Sequence, residues 1–365
     1  MTEPLLSIRD LRTVFHTDEG LVRAVDGVSF DVGRGETVCL VGESGSGKTV
    51  TGESITRLIR TPPGEVADGQ IVFDGRDLAT LADDDLRDPE LERDIAVLRG
   101  DRIAHVFQNP QGALNPVYTV GWQIVEAILL HEDLPKAEAR ARGVDLLDRV
   151  GIPEATRRFD DYPHEFSGGM KQRVALAMAL ATNPDLLIAD EPTTALDVTI
   201  QNQILGLLGE LQDEFDMSIL LITHDLGVVA EVADRVVVMY AGKVMERGDV
   251  FDVFERPSHP YTRALLDCLP GRGDAGARSI GGKLPPPTDP PDGCRFHPRC
   301  EHAVDACRRG EQPPDYAVDG DDDHVVSCVH YEPGGDPSVV RGEEAVPADG
   351  GRPVGGDAED EGDDG

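Results

Sequence analysis

Lysine is nearly absent from this chain: five occur among 365 residues, against 29 arginines. Aromatic residues make up only 5%, with a single tryptophan. No uninterrupted apolar run approaches the length that crosses a bilayer, so the chain is expected to be soluble by itself. The N-terminus lacks a basic segment followed by an apolar one, and nothing there marks secretion. A basic stripe is missing too. Binding along a phosphate backbone needs one, which argues against nucleic acid as a partner.

What the chain has in excess is acid. Asp and Glu number 69 and the formal net charge is −35. Residues 336–365 hold ten acids and two arginines, a net −8, so the remainder still carries −27. An acidic, lysine-poor surface suits molar cytoplasmic salt, where self-repulsion is screened, and a halophilic source is the expectation. Hydrophobic residues at 39% over this length allow one large core or two domains.

The most informative stretch is Gly42, Glu43, Ser44, Gly45, Ser46, Gly47, Lys48 and Thr49. It follows the apolar strand-like run 36–41 and precedes a helical pattern over 50–59. Glycines let successive backbone N–H groups curl inward, and the helix adds its positive end, a cradle for polyphosphate. Lys48 would reach the β- and γ-phosphates, and the Thr49 hydroxyl would hold Mg²⁺. A glycine-rich turn that binds nothing is the bland alternative; the full pattern between strand and helix favours a nucleotide site.

Further polar groups stand at strand ends. Gln108 closes a strand expected over 102–107, where one carboxamide can both ligate through oxygen and donate from nitrogen. Asp190 and Glu191 end the buried strand that starts near 185; adjacent acids there are either a solvated turn or a Mg²⁺ ligand and a polariser of water. His224 follows another apolar strand, 218–223, where a lone histidine is often structural. Because open α/β sheets bind ligands at the carboxyl ends of their strands, Lys48, Gln108, Asp190, Glu191 and His224 all fit one edge. Near the N-terminus, two strands flank a turn at 17–20, and Phe15 is either an adenine stacker or an ordinary sheet aromatic, with His16 a possible substitute. Residues 77–99 are charged and partly helical in pattern; 112–160 read as a helical subdomain. Ser167 caps a helix expected to run to about residue 181.

These stretches together resemble an ATP-binding-cassette ATPase. The Walker A loop (42–49), glutamine loop (Gln108), signature (166–170), Walker B with its glutamate (185–191), D-loop (195–197) and switch His224 occur in that family's order. The resemblance implies an α/β P-loop fold, with a mixed sheet, an antiparallel β subdomain and a helical subdomain over about 112–180. It further implies head-to-tail dimers around two ATPs. Ser167, Gly168, Gly169 and Met170 would then meet the ATP held by the partner cassette, and Asp197 would lie at the dimer interface. Glu191 would act as base, with His224 and Gln108 beside it, and Mg²⁺ would be held by Thr49, Gln108 and Asp190. Residues 108–116 and 258–266 are similar to the oligopeptide, dipeptide and nickel importers. That narrower likeness implies a second ATPase subunit, hence a heterodimer, two permease subunits and an extracellular binding protein, with this chain peripheral on the cytoplasmic face of the membrane. A soluble ATPase of DNA repair or translation is the alternative. Only residues 109–166 separate Gln108 from Ser167, too few for the long coiled coil of repair members, and there is one Walker A where translation members usually have two.

The expected organisation is a cassette over 1–255, an importer-type extension over 256–335 and a disordered acidic tail over 336–365. Residues 270–293, rich in Gly and Pro, read as a linker within the extension. Cys294, Cys300, Cys307 and Cys328 cluster beyond it, with His297, His302, His324 and His330. Four such cysteines in a cytosolic protein suggest metal ligands over disulfides. Thiolate ligation suits a [4Fe-4S] cluster; zinc is the alternative, although C-x-x-C pairs are missing, and no metal is the third. The module could also regulate transport through redox or iron.

Overall fold

The computed structural model describes residues 3–78, 98–108, 110–194, 196–269 and 280–341. The charged segment expected to be partly helical lies mostly outside the described residues, as do Ala195, residues 270–279 and the tail from 342 on.

Alternating and fully apolar strands build two sheets. The first is antiparallel, ordered β2-β1-β4-β5, from β1 (Leu6–Thr17), β2 (Gly20–Val32), β4 (Gly64–Phe73) and β5 (Arg76–Asp77). Strands β1 and β2 are longer than expected: pairing continues past the first apolar residues to Thr17 opposite Gly20, and Phe15 and His16 lie within the ladder.

The second sheet is mixed, ordered β11-β12-β10-β9-β3-β8-β7-β6. Its centre is parallel: β3 (Thr37–Val41), β6 (Ile103–Val106), β7 (Leu186–Asp190), β8 (Ser218–Thr223) and β9 (Arg235–Tyr240). β3, β7 and β8 are buried along their whole length, as strands covered on both faces must be. Side chains alternate between two cores. Cys39, Val41, Leu187, Ala189 and Leu221 face the helical subdomain; Val38, Leu40, Ile188, Leu220 and Ile222 face the antiparallel sheet. Register pairs Val41 with Thr223, Asp190 with Ile222 and Val106 with Ala189. The carboxyl ends of β3, β6, β7 and β8 therefore form one rim.

The helices are α1 (Lys48–Ile55), α2 (Val120–His131), α3 (Lys136–Arg149), α4 (Gly168–Ala179), α5 (Val198–Phe215), α6 (Leu226–Val232), α7 (Val250–Glu255) and α8 (Pro260–Leu266). α2, α3 and α4 form the helical subdomain around Ile124, Leu147, Phe159 and Val174.

The C-terminal extension is built onto the cassette. β10 (Lys243–Asp249) pairs with β12 (Asp321–Val326), and β12 with β11 (Tyr316–Val318). The junction encloses Glu246, fully buried, which accepts from the amides of Ser258 and His259 and pairs with His324 at 2.8 Å. Residues 280–293 cannot be a free linker. The carbonyl of Pro287 accepts from the Arg23 amide and Leu284 packs on the core. The first residues of the expected tail also pack: Ser338–Arg341 is a helical turn with Val340 buried and the Arg341 guanidinium on Tyr331 and Asp319.

Candidate active site

The phosphate loop leaves β3 at Val41 and enters α1 at Lys48. Two of its glycines are required by neighbouring backbone. Gly42 has φ 148° and a Cβ there would lie 2.1 Å from the Met239 carbonyl; Gly47, φ 102°, would place one 2.3 Å from the Ala24 carbonyl. Any side chain would push the loop off the sheet. Lys48 is buried, and its ammonium donates to the carbonyls of Gly42 (2.8 Å) and Glu43 (3.1 Å). Burial holds its pKa below the usual lysine value, against the pull of Glu191, Asp190 and Glu43. Ser44, Gly45 and Thr49 are exposed on the same loop, while Ser46 is buried.

Asp190, at the end of β7, is almost fully buried. Burial raises its pKa, opposed by a hydrogen bond from Thr49 and by Lys48. Its Oδ1 has no hydrogen-bond partner. A buried, ionisable oxygen left unpaired beside a hydroxyl is the donor set that a hard divalent cation completes. Asp190 and Thr49 thus fit Mg²⁺.

Glu191 follows in a left-handed backbone conformation, φ 45°, its amide donating to the Ile222 carbonyl at 2.8 Å. Such a conformation in a glutamate is strain that the surrounding sheet must hold. Its carboxylate is the hub of the rim. Gln108 Nε2 donates to Oε2 at 2.8 Å, the Thr194 hydroxyl to the same oxygen at 2.9 Å, and His224 Nδ1 lies 2.9 Å from Oε1. Burial would raise its pKa; the hydrogen bonds from His224, Thr194 and Gln108 outweigh it and hold the carboxylate below the usual range. An ionised, oriented carboxylate beside a phosphate loop is equipped to take a proton from water. Sequence reasoning placed Gln108, Asp190, Glu191 and His224 on one edge, and the tertiary structure brings them together; it missed Thr194, which has no local signal beyond following the acids.

Other expected residues stand apart from this hub. Ser167 caps α4, accepting from the Met170 amide at 3.3 Å, and a Cβ on Gly168 would meet Leu196 at 4.0 Å. A Cβ on Gly169 would meet Ile200 at 2.9 Å. Asp197 caps α5, accepting from the Ile200 amide at 3.0 Å. Phe15 is half-buried in β1 with its ring edge against Gly64, and His16 is engaged with Glu65 at 2.9 Å.

The four clustered cysteines are free thiols. Cys294, Cys307 and Cys328 are buried. Burial pushes Cys294 and Cys328 up to about 12 and Cys300 to about 11, with the neighbouring cysteines of the cluster adding to each shift. Among the described residues no group of three or more His, Cys, Asp or Glu is arranged to hold a metal ion. His297 donates instead to the Cys294 carbonyl, His330 to the His302 carbonyl, and His324 pairs with Glu246. With these imidazoles engaged elsewhere, a [4Fe-4S] or Zn²⁺ site would have to rest on the four thiols alone, which a bound metal would deprotonate.

A phosphate loop, a buried carboxylate with an unpaired oxygen and a second carboxylate oriented by three donors meet on one sheet edge, an arrangement suited to nucleotide hydrolysis. Comparisons with known proteins agree. The ABC transporter family pattern matches residues 25–194, and that of the oligopeptide/dipeptide transporter C-terminal region matches 245–307. The oligopeptide transport ATP-binding protein AppD of Bacillus subtilis is 49% identical over 306 residues, 83% of this chain and 90% of that one. The dipeptide transport ATP-binding protein DppD of the same organism is 47% identical, covering 93% and 99%. Among solved structures, the dimeric cassette MJ0796 bound to ADP and Pi superposes with TM-score 0.58 at 27% identity, over 67% of this chain and 98% of that one. CbiO1 of Clostridium perfringens gives 0.58 at 29%, over 70% and 92%. The chain belongs to the ABC transporter ATPases, and within them to the ATP-binding subunits that carry the oligopeptide/dipeptide transporter C-terminal region. It is an ATP-hydrolysing transporter cassette.

Proposed function

We propose that this subunit powers import of di- or oligopeptides, with nickel or another solute as the alternative cargo, by hydrolysing ATP on the rim described above. The three hydrogen bonds that orient Glu191 carry this reading. The loop amides of 42–49 and the Lys48 ammonium hold the β- and γ-phosphates, and Phe15 stacks on adenine. Asp190, Thr49 and Gln108 would hold Mg²⁺, which neutralises phosphate charge when bound. Glu191 accepts the proton of the attacking water, and His224, on the opposite carboxylate oxygen, keeps it aimed. Gln108 spans from the carboxylate to the helical subdomain, so it reports cassette geometry to the base. Ser167, Gly168, Gly169 and Met170 complete the ATP site of the partner cassette, with Asp197 at that interface; the exposure of Ser167 and Gly168 fits a role in trans.

The partners follow from this reading: a second ATPase subunit in a heterodimer, two membrane permeases and an extracellular binding protein. Among the described residues no helix is long and apolar enough to cross a membrane, and attachment to the cytoplasmic face runs through the permeases. Support comes from the groove of about 270 Å³ lined by Phe107, Ala127, Leu130 and His131, next to the exposed ring of Trp122. A bound metal at the four cysteines, [4Fe-4S] or Zn²⁺, stays a separate proposal resting on residue type and mutual proximity; iron, zinc and acid-labile sulfide assays on purified protein test it. So does the halophilic source, which rests on charge alone.

The decisive pair of experiments is a tagged pull-down from solubilised membranes in high salt and the variant Glu191→Gln. Recovery of two permeases, a second cassette and a binding protein supports the importer; recovery with ribosomes or repair proteins refutes it. Glu191→Gln is expected to bind ATP normally and lose at least about 100-fold in turnover, as loss of a general base does. Retained turnover would remove Glu191 from that role.

A further inference from the structure

The phosphate loop is gripped by the C-terminal extension. Arg299 closes the 3₁₀ turn His297–Arg299, which begins under the Cys294 carbonyl and passes into Cys300. Its guanidinium crosses to the loop and pairs bidentately with Glu43, Nη1 to Oε2 at 2.7 Å and Nη2 to Oε1 at 3.0 Å. The remaining donors are also used: Nε on the Gly281 carbonyl (2.7 Å), Nη2 on that of Ile280 (3.1 Å), Nη1 on the Tyr240 hydroxyl (3.2 Å). The group lies over the rings of Tyr240 and Phe296 and its side chain is 5% exposed. Two further contacts reach the same loop. The Tyr261 hydroxyl accepts from the Glu43 amide at 2.9 Å, and a Cβ on Gly45 would meet Leu284 at 3.3 Å.

A fully satisfied guanidinium, 256 positions away in sequence, is therefore spent on one phosphate-loop carboxylate. Glu43 needs it. A carboxylate in a loop that must receive a triphosphate repels its ligand unless a fixed cation cancels it, and Lys48 is hydrogen-bonded to the loop carbonyls of Gly42 and Glu43, not to this carboxylate. An arginine fork does this with geometry that a lysine cannot copy.

We propose that Arg299 is a positioning residue for nucleotide binding: it neutralises Glu43 and fixes the start of the phosphate loop, so that the extension forms part of the ATP site of its own chain. The inference rests on the ATP-binding reading of the loop and adds an element from outside the cassette. It makes a prediction of sign that packing alone does not. Removing Arg299 strands the Glu43 charge, and removing that charge as well restores binding.

The test uses the full chain and equilibrium titration with a fluorescent ATP analogue, alongside steady-state KM and kcat. Arg299→Ala is expected to weaken nucleotide binding about tenfold and to raise KM more than it lowers kcat. Arg299→Lys should restore only part of this. The double variant Arg299→Ala/Glu43→Gln should bind within about threefold of wild type. Loss in Arg299→Ala that Glu43→Gln fails to rescue, or unchanged affinity in Arg299→Ala, overturns the proposal. Circular dichroism melts without nucleotide identify any variant that fails to fold, in which case Arg299→Gln replaces it in the same cycle. Failure of the wild-type chain to bind the analogue would instead sink the ATP reading itself.

Discussion

In the proposed mechanism the Glu191 carboxylate is the base, and its environment works in two directions. Burial favours the protonated acid, whereas donors from three different segments favour the anion, and the donors win. A base with a lowered pKa is active above that pKa and lost as pH falls through it. Thr194→Ala removes one donor without touching phosphate, so the carboxylate pKa rises toward its ordinary value. The acid limb of the kcat/KM profile should move to higher pH by about one to two units, the worth of a single hydrogen bond to a charged group. A profile carried down to about pH 3 checks this, because the wild-type limb lies below the ordinary carboxylate value, and an unmoved or downward-shifted limb contradicts the stated balance. Asp190 shows the opposite balance at the adjacent position: its pKa is raised, and one oxygen is unpaired. Two neighbouring acids thus hold different protonation tendencies because one ends inside the sheet and the other has stepped out of it.

At the scale of elements, the turn from Gly293 to Cys300 matters most, because it carries Arg295 and Arg299. Arg295 reaches Asp26, which also accepts from Arg12 and lies 3.4 Å from Lys243. Burial opposes ionisation of Asp26, but Lys243, Arg295 and Arg12 together hold its pKa below the ordinary carboxylate value. Gly293 begins this turn at φ 69°, and a Cβ would lie 2.4 Å from the Cys307 carbonyl. Gly293→Ala is expected to cost roughly 1–2 kcal/mol from the left-handed backbone alone, with further loss from the contact. Because Arg299 rides on the same turn, nucleotide affinity should fall with stability. A lower melting temperature together with a raised dissociation constant for ATP is the expected pair; a drop in stability with unchanged affinity would separate the turn from the loop.

The whole molecule is governed by its charge. At −35, repulsion among surface acids opposes compactness, and salt relieves it as the Debye length shrinks from about 10 Å at 0.1 M to about 3 Å at 1 M. Raising KCl from 0.1 to 2 M should increase the melting temperature by on the order of 5 °C, equivalent to roughly 4 kcal/mol for a chain of this size. A flat or falling melting temperature across that series would argue against the high-salt expectation. Surface ion pairs such as Arg140–Asp160 (2.8 Å, both exposed) will weaken over the same range, but each contributes only about 0–1 kcal/mol.

The linear order of residues by itself determined the cassette and most of its chemistry, for a physical reason. The phosphate loop, Asp190, Glu191 and His224 each sit at the end of a short apolar strand, and parallel strands in one sheet necessarily deliver their ends to one rim. Gln108 was legible for the same reason. Tertiary structure alone decided what crosses between segments remote in sequence. Nothing near Glu43 announces Arg299, nothing near Thr194 announces a donor to Glu191, and the Gly- and Pro-rich stretch at 280–293 has linker composition yet packs on the core through Leu284 and Pro287. The cysteines mark the limit in the other direction. Their composition suggested a thiol ligand set with histidines close by in sequence, and only the fold shows that His297, His324 and His330 are turned to carbonyls and a buried glutamate.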